Sequence, residues 1–406
     1  MSIIRISKPK NAIRAKLHIG GSKSISNRIL LIRALSESHF RIDNLSDSDD
    51  TQTMLKLLSE DADTNDAHHA GTTFRFLTAY FAMQPGKQVL TGSDRMLQRP
   101  IAPLVDGLRE IGAKIDYLGV EGYPPLSIES FSKQEKNEIS LDAGISSQFI
   151  SSLCMIAPTL ENGLSINLVG DLVSRPYLQM TLSIMEFFGI ASTFTNNKIS
   201  IESQAYRPQN YIVESDWSSA SYHFAIASIA DDCEIELSHY KKSSYQGDSQ
   251  IVELSKYFGV ETSNVDGGIV IKSNGQKQKE FSYDFLEQPD LAQTIAVMAA
   301  ASGMDMTYRG LKTLAIKETD RVAAIANELA KVDVEFSVGN NIWQQSGKAI
   351  MSEPTFDTYQ DHRMAMAFAP LALLADIMIR EPEVVTKSYP RFWQDLATLG
   401  FEITYL

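Results

Sequence analysis

One junction recurs along this chain and restricts its fold more than any other feature. An apolar-periodic helix ends at a glycine, and an alternating strand follows directly. It runs from Leu108 to Ile115 around Gly112, from Met185 to Ala191 around Gly189, from Leu254 to Glu261 around Gly259 and from Leu396 to Ile403 around Gly400. Weaker versions without glycine span Leu57 to Ala62 and Leu329 to Val334. The junctions lie roughly 50 to 80 residues apart, too far for solenoid repeats, and read as six related αβ units grouped into globular halves of three. Because several strands are consecutive, mixed α/β units are expected and not a simple Rossmann sheet. Helices are predicted from Pro100 to Ile111, from Arg175 and Pro176, and from Asp216 with Asp or Ser as cap. Others start near Pro289 and Asp290, over Glu318 to Arg321, near Asp361 to Arg363 and near Tyr389 to Arg391.

A chain of 406 residues exceeds one ordinary core, which agrees with two halves. Lys and Arg number 37 against 50 Asp and Glu, so the net charge of −13 argues against a nucleic-acid surface. Any anion site must be built locally against that charge. Cys154 and Cys233 are too few for a disulfide framework or a metal cluster, and Cys154 sits in an apolar run as a small hydrophobe. The opening residues, Met1 to Lys8, lack the apolar region of a secretory signal. The longest apolar run, Ala365 to Ala375, is interrupted by Pro370 and meets Asp376, so no membrane span is expected. A cytoplasmic location follows.

The stretch Gly20 to Arg28, continuing into Ile29 to Leu35, reads as a glycine turn feeding a helix N-terminus. Free N–H groups there, beside Ser22, Lys23, Ser24 and Arg28, suit an anion, and a plain capped helix with surface cations fits the stretch equally well. A nucleotide P-loop fits worse, because Ser22 precedes Lys23. The same grammar recurs. Lys23, Arg28, Arg75, Arg99, Arg175, Lys317, Arg321 and Arg363 stand at or near helix starts, with Lys387 just before the last. The helix macrodipole disfavours cations at that end, so the set predicts several N-termini converging on bound negative charge. Acids share these starts: Asp49, Asp50, Asp290, Glu318 and Asp361. A helix N-cap or first-turn acid accounts for Asp49 and Asp361; Asp290 and Glu318 are the candidates for proton transfer.

Taken in order, the motifs Gly21 to Arg28, Asp47 to Asp50, Ala70 to Arg75, Gln98 to Ile101, Ser146 to Phe149, Ser174 to Tyr177, Lys317 to Arg321 and Asp361 to Ala365 resemble those of the 5-enolpyruvylshikimate-3-phosphate synthase family. The resemblance covers nearly the whole chain. It implies a two-lobed α/β enolpyruvyl transferase fold, each lobe three βαβαββ units with helix N-termini facing a cleft. The lobes would be residues 1–19 with 215–406, and residues 20–214. The implied reaction moves the enolpyruvyl group of phosphoenolpyruvate to the 5-hydroxyl of shikimate 3-phosphate and releases phosphate, on the route to chorismate and aromatic amino acids.

Carried over position by position, Lys23, Ser24, Arg28, Ser146, Ser147, Gln148, Ser174, Tyr177, Asp290 and Lys317 would bind shikimate 3-phosphate, with Ser146, Ser147 and Ser174 on its phosphate. Lys23, Gly71, Arg99, Gln148, Arg321, Arg363 and Lys387 would bind phosphoenolpyruvate. Asp290 and Glu318 would transfer protons, assisted by Lys23 and Lys317. The resemblance implies no metal and no organic cofactor, small-molecule partners only, and a monomer. Departures from the family pattern are His69, Phe76 and Thr313, which leave sensitivity to the inhibitor glyphosate open although Gly71 favours it. Two rivals remain: the sister transferase acting on UDP-N-acetylglucosamine, and a non-catalytic anion-binding protein. Ser24 after Lys23 and the apolar settings of both cysteines count against the first; Asp290, Lys317 and Glu318 count against the second.

Overall fold

The recurring junctions become helix ends with a residue in the left-handed region. In the computed structural model, which describes residues 2–60, 62–131, 133–144, 146–339 and 341–406, Gly112, Gly189 and Gly400 have φ of +115°, +84° and +96°. A side chain there would clash with the backbone, so glycine is the residue that turns helix into strand. Two junctions differ from expectation. At Gly259 a one-turn helix and a 3-10 turn replace a long helix, and the glycine (φ +77°) lies at a register shift in the strand Phe258–Val265. At Leu329 to Val334, Asp333 takes the left-handed position (φ +59°) that glycine holds elsewhere. The structure adds a further example at Gly303 (φ +75°), which the sequence reading did not single out. Met1, and Asp61 of the Leu57 to Ala62 junction, lie outside the described residues.

The chain divides into a split unit, Met1–Gly20 with Glu214–Leu406, and an inserted unit, Gly21–Val213. The inserted unit carries α1 (Lys23–Leu35), α2 (Asp49–Ser59), α3 (Gly71–Phe81), α4 (Ala102–Glu110), α5 (Ser147–Ile156) and α6 (Arg175–Phe187). Helices α1, α3 and α5 pack on one another and are buried on nearly every face. Helices α2, α4 and α6 bury one stripe each, as their spaced apolar residues dictate. Two four-stranded sheets flank them: Thr64–Asp66, Lys87–Thr91, Leu126–Glu129 and Lys114–Tyr117, then Thr193–Thr195, Lys198–Ile201, Leu164–Val169 and Glu138–Asp142. The third sheet is reduced to the parallel pair Ile42–Asp43 and Tyr211–Ile212 among the described residues.

In the split unit lie α7 (Trp217–Ile229), α8 (Ile251–Leu254), α9 (Ala292–Ser302), α10 (Arg321–Ala330), α11 (His362–Phe368) and α12 (Phe392–Thr398). Helices α7, α9 and α11 contact one another at its centre. Almost every residue of the three is buried, and apart from the polar starts that carry His362 and Arg363 their sequences are mostly apolar or small, so they have no face to give to water. Each of the three sheets has a parallel pair, which a hairpin extends in two of them and the first strand of the chain extends in the third. Ile13–Leu17 pairs in parallel with Cys233–Ser238 across the whole inserted unit. The first strand, Ile3–Ser7, lies antiparallel between Ile377–Arg380 and Glu402–Tyr405 and completes the last sheet. No helix among the described residues is long and apolar enough to cross a membrane.

Candidate functional site

Three helix starts in the split unit hold a buried network of ionic groups. Arg321 opens α10 behind its cap Asp320, whose carboxylate accepts from the N–H groups of Val322 and Ala323. Asp361 caps α11 by accepting from Arg363 N–H at 2.9 Å. The Pro289–Leu291 turn, leading into α9, presents Asp290. Arg321 is 1% exposed. It donates through Nε to Asp361 at 2.7 Å, through Nη1 to Asp290 at 2.9 Å and through Nη2 to Glu318 at 2.8 Å. The other Asp290 oxygen accepts from Arg363 Nη2 at 2.9 Å, and Glu318 pairs with Lys387 at 3.1 Å. Lys387 ends the 3-10 turn Pro382–Lys387. The following Tyr389 is pinned by donating to Asp395 at 2.8 Å and pairing with His223 at 3.0 Å. Lys317 follows the Lys312–Ile316 turn, in which Thr313 is half-buried.

The electrostatics of Asp290 are decided by cations. Burial alone would push its carboxyl up, but Arg363, Lys317 and Arg321 outweigh that and hold it well below the usual carboxylate range. Burial likewise works against the charge on Arg321, yet Asp361, Glu318 and Asp290 raise its proton affinity further. Asp361, expected from sequence to be a helix N-cap or first-turn acid, thus caps α11 and also anchors Arg321. Its second role could not be read from α11 itself, because the partner arrives from α10.

The inserted unit gathers cations differently. Arg28, in the middle of α1 and 1% exposed, donates to Thr181 Oγ1 at 2.7 Å, to the Ser24 carbonyl at 2.7 Å, to the Tyr177 carbonyl at 3.3 Å and to Ser151 Oγ at 3.5 Å. These partners are neutral, and burial lowers the guanidinium to about 10. Phe76, one of the departures, is buried beneath it, its ring 5.4 Å from the guanidinium carbon. Arg28 therefore fixes the starts of α1 and α6, where Ser24, Ser174 and Tyr177 stand. Ser174 caps α6 in a left-handed conformation (φ +54°), an uncommon backbone for a serine. Ser146 caps α5 by accepting from Gln148 N–H at 3.3 Å, and Ser147 begins that helix. Gln148 Nε2 donates to Thr72 Oγ1 at 2.9 Å, tying the start of α5 to that of α3.

Gly71 opens α3 at a point where two guanidiniums meet. A Cβ placed there would lie 2.5 Å from Arg99 Nη1 and 2.7 Å from Arg75 Nη1. Arg75 donates to the Gly71 carbonyl at 2.9 Å and covers the Phe149 ring. The missing side chain thus admits two buried guanidiniums to one helix N-terminus. From sequence alone Gly71 reads as room for a ligand; the structure shows room for Arg75 and Arg99. Lys23, at the first position of α1, pairs with Asp50 at 3.1 Å. Asp49 opens α2 behind Ser48 as a first-turn acid, one of the two placements expected of it. Arg175 stands apart on the surface over the Phe194 ring, and His69 is exposed.

Comparisons with known proteins agree over the full length. A sequence model described as EPSP synthase (3-phosphoshikimate 1-carboxyvinyltransferase) matches residues 7–60 and 58–396. The chain is similar to 3-phosphoshikimate 1-carboxyvinyltransferase of Bacteroides fragilis strain YCH46, 45% identical over 396 residues, 96% of each chain. It is 38% identical over 423 residues to the protein of the same name from Sulfurovum sp. strain NBC37-1, covering 97% of this chain and 98% of that one. The solved EPSP synthase of Acinetobacter baumannii shares the fold, with a TM-score of 0.80 at 21% identity over 100% of both chains. The mixed α/β architecture, the ordered motifs and these matches together place the chain in the EPSP synthase (3-phosphoshikimate 1-carboxyvinyltransferase) family.

Proposed function

We infer that this chain transfers the enolpyruvyl group of phosphoenolpyruvate to the 5-hydroxyl of shikimate 3-phosphate and releases phosphate. The observation that carries this reading is the pairing of two acids, Asp290 and Glu318, with Arg321, Arg363 and Lys387 at three helix starts, in a chain that matches the family throughout. Addition comes first. The 5-hydroxyl oxygen bonds to C2 of phosphoenolpyruvate, its proton passes to Asp290, and Glu318 delivers a proton to C3. Elimination follows: the C2–O bond to phosphate breaks, a methyl proton returns to the enzyme, and the double bond reforms.

The network explains how the acids are switched on. While Asp290 neutralises Arg363 and Arg321 it is a poor base. An incoming carboxylate and phosphate that take Arg321, Arg363 and Lys387 release both acids, and Asp290 regains proton affinity as its cations are claimed. Lys317 serves the ring hydroxyls and the developing charge. In the inserted unit, Lys23, Ser24, Gln148, Ser146, Ser147, Ser174 and Tyr177 receive shikimate 3-phosphate, with Arg28 supplying charge from behind. Gly71 and Arg99, with Lys23 and Gln148, receive phosphoenolpyruvate. Phosphate release from phosphoenolpyruvate tests the reading: release with shikimate 3-phosphate is expected. Release only with the UDP-sugar acceptor, or with neither, overturns it.

A further inference from the structure

One buried acid beside this network has no place in the mechanism above. Asp248, in the 3-10 turn Gly247–Gln250, is 2% exposed, and its Oδ1 has no hydrogen-bond partner among the described residues. Its Oδ2 accepts from Ser218 Oγ on α7. Ser218 Oγ in turn lies 3.4 Å from Arg363 Nη2, the same nitrogen that donates to Asp290. A hydrogen-bonded line therefore runs from Asp248 through Ser218 to Arg363 and on to Asp290.

We propose that Asp248 is a positioning residue that sets the effective charge of Arg363: neutral, it leaves the guanidinium to the anionic substrate, and ionised, it competes for that guanidinium through Ser218. The proposal rests on the reading that Arg363 binds phosphoenolpyruvate. Geometry and titration agree. Burial, then the Asp290 charge, push the Asp248 carboxyl up to about 7, against the opposing effects of Arg363 and the Ser218 hydroxyl, with Asp216 adding a smaller upward push. Tyr283, on the strand Glu280–Asp284, feels the same carboxyl. Asp290, Arg363, Asp216 and Tyr283 are the ionisable groups that bear on it from the turn before α9, from α11, from the start of α7 and from that strand. A carboxyl that is neutral below pH 7 and ionised above it makes phosphoenolpyruvate binding weaken as pH rises.

The test is steady-state kinetics of wild type and Asp248→Asn across about pH 6 to pH 8.5, with shikimate 3-phosphate saturating. Asparagine keeps an acceptor for Ser218 and cannot ionise. The KM for phosphoenolpyruvate of wild type, divided by that of the variant, removes the titration of the substrate's own phosphate. This ratio is expected to rise about five- to tenfold with pH, while kcat of the two stays within about twofold. Asp248→Ala, with thermal melting to confirm folding, is the second variant. It should show the same loss of pH dependence, with a higher KM throughout because Ser218 loses its acceptor. A ratio that stays flat with pH, or a change carried by kcat alone, overturns the proposal. Absence of turnover by wild type with shikimate 3-phosphate would instead overturn the underlying reading.

Discussion

The two units hold their most deeply buried cations, Arg321 and Arg28, in opposite ways. In the split unit, Arg321, Arg363 and Lys387 are paired with Asp290, Glu318 and Asp361, so their charge is committed before any substrate arrives. In the inserted unit Lys23 pairs with Asp50, but the partners of Arg28 are hydroxyl and carbonyl oxygens, which leave its charge uncompensated. Under the proposed function, committed charge is exchanged for substrate, and the exchange would free acids for proton transfer. The contrast supports the proposed roles, proton transfer by Asp290 and Glu318 and substrate binding by the groups around Arg28.

The comparison can be broken at several points. Asp290→Ala or Glu318→Ala should lower kcat by about 10²–10⁴-fold, whereas Ser147→Ala in the inserted unit should act mainly on KM for shikimate 3-phosphate. Near-normal kcat in either acid variant removes that residue from the mechanism. Asp361→Ala leaves Arg321 buried without its closest partner and should destabilise the fold by about 3–5 kcal/mol in denaturant titration. Asp50→Ala, whose partner Lys23 is partly exposed, should cost about 1 kcal/mol. Equal losses would mean that the two units do not differ in how they hold charge.

Smaller effects sharpen the same contrast. Gly71→Ala drives a methyl group into Arg99 and Arg75, and should raise KM for phosphoenolpyruvate about tenfold with kcat within a few-fold. An unchanged KM would show that these guanidiniums do not meet that substrate. The depressed carboxyl of Asp290 adds stability that is fully present above the unfolded value of about 4 and is lost as pH falls through the lower folded value. Wild type should therefore lose its stability margin over Asp290→Asn on acidification below about pH 4, as read by melting temperature. A margin independent of pH would contradict the ion pairing. The smallest effect is screening: added sulfate should raise KM for both substrates by competing at the exposed ends of these sites, about two- to threefold at a few tenths molar. Indifference to sulfate would count against clustered anion sites.

Much of this architecture was legible because it depends on local rules. Gly112, Gly189 and Gly400 announce helix ends, since only a residue without a side chain turns there at little cost. Asp216, Asp320 and Asp361 sit one residue before their helices, where a carboxylate satisfies free N–H groups. Gly303 gave no signal because alanine-rich α9 lacks a clear apolar stripe, and Asp333, inside the weaker Leu329 to Val334 junction, did not announce its turn because aspartate only sometimes replaces glycine. The shortening of the helix before Gly259 followed from strand pairing between Phe258–Val265 and Gly268–Lys277, which local pattern does not reveal.

The site divides along the same line. That cations crowd helix starts is written in the order of residues, because capping patterns and charge are read one segment at a time. Which acid neutralises which cation is not. Arg321 meets Asp290 and Asp361 from segments 31 and 40 residues away, and Arg28 meets Thr181 across 153 residues. Asp248 lies 30 residues from the serine that links it to Arg363. These pairings depend on packing α7, α9, α10 and α11 together, and α1 against α5 and α6. Coulomb energy and desolvation vary with separation and burial, quantities that exist only once the chain has folded. The residue types were set by the chain; their charge states were decided by its neighbours in space.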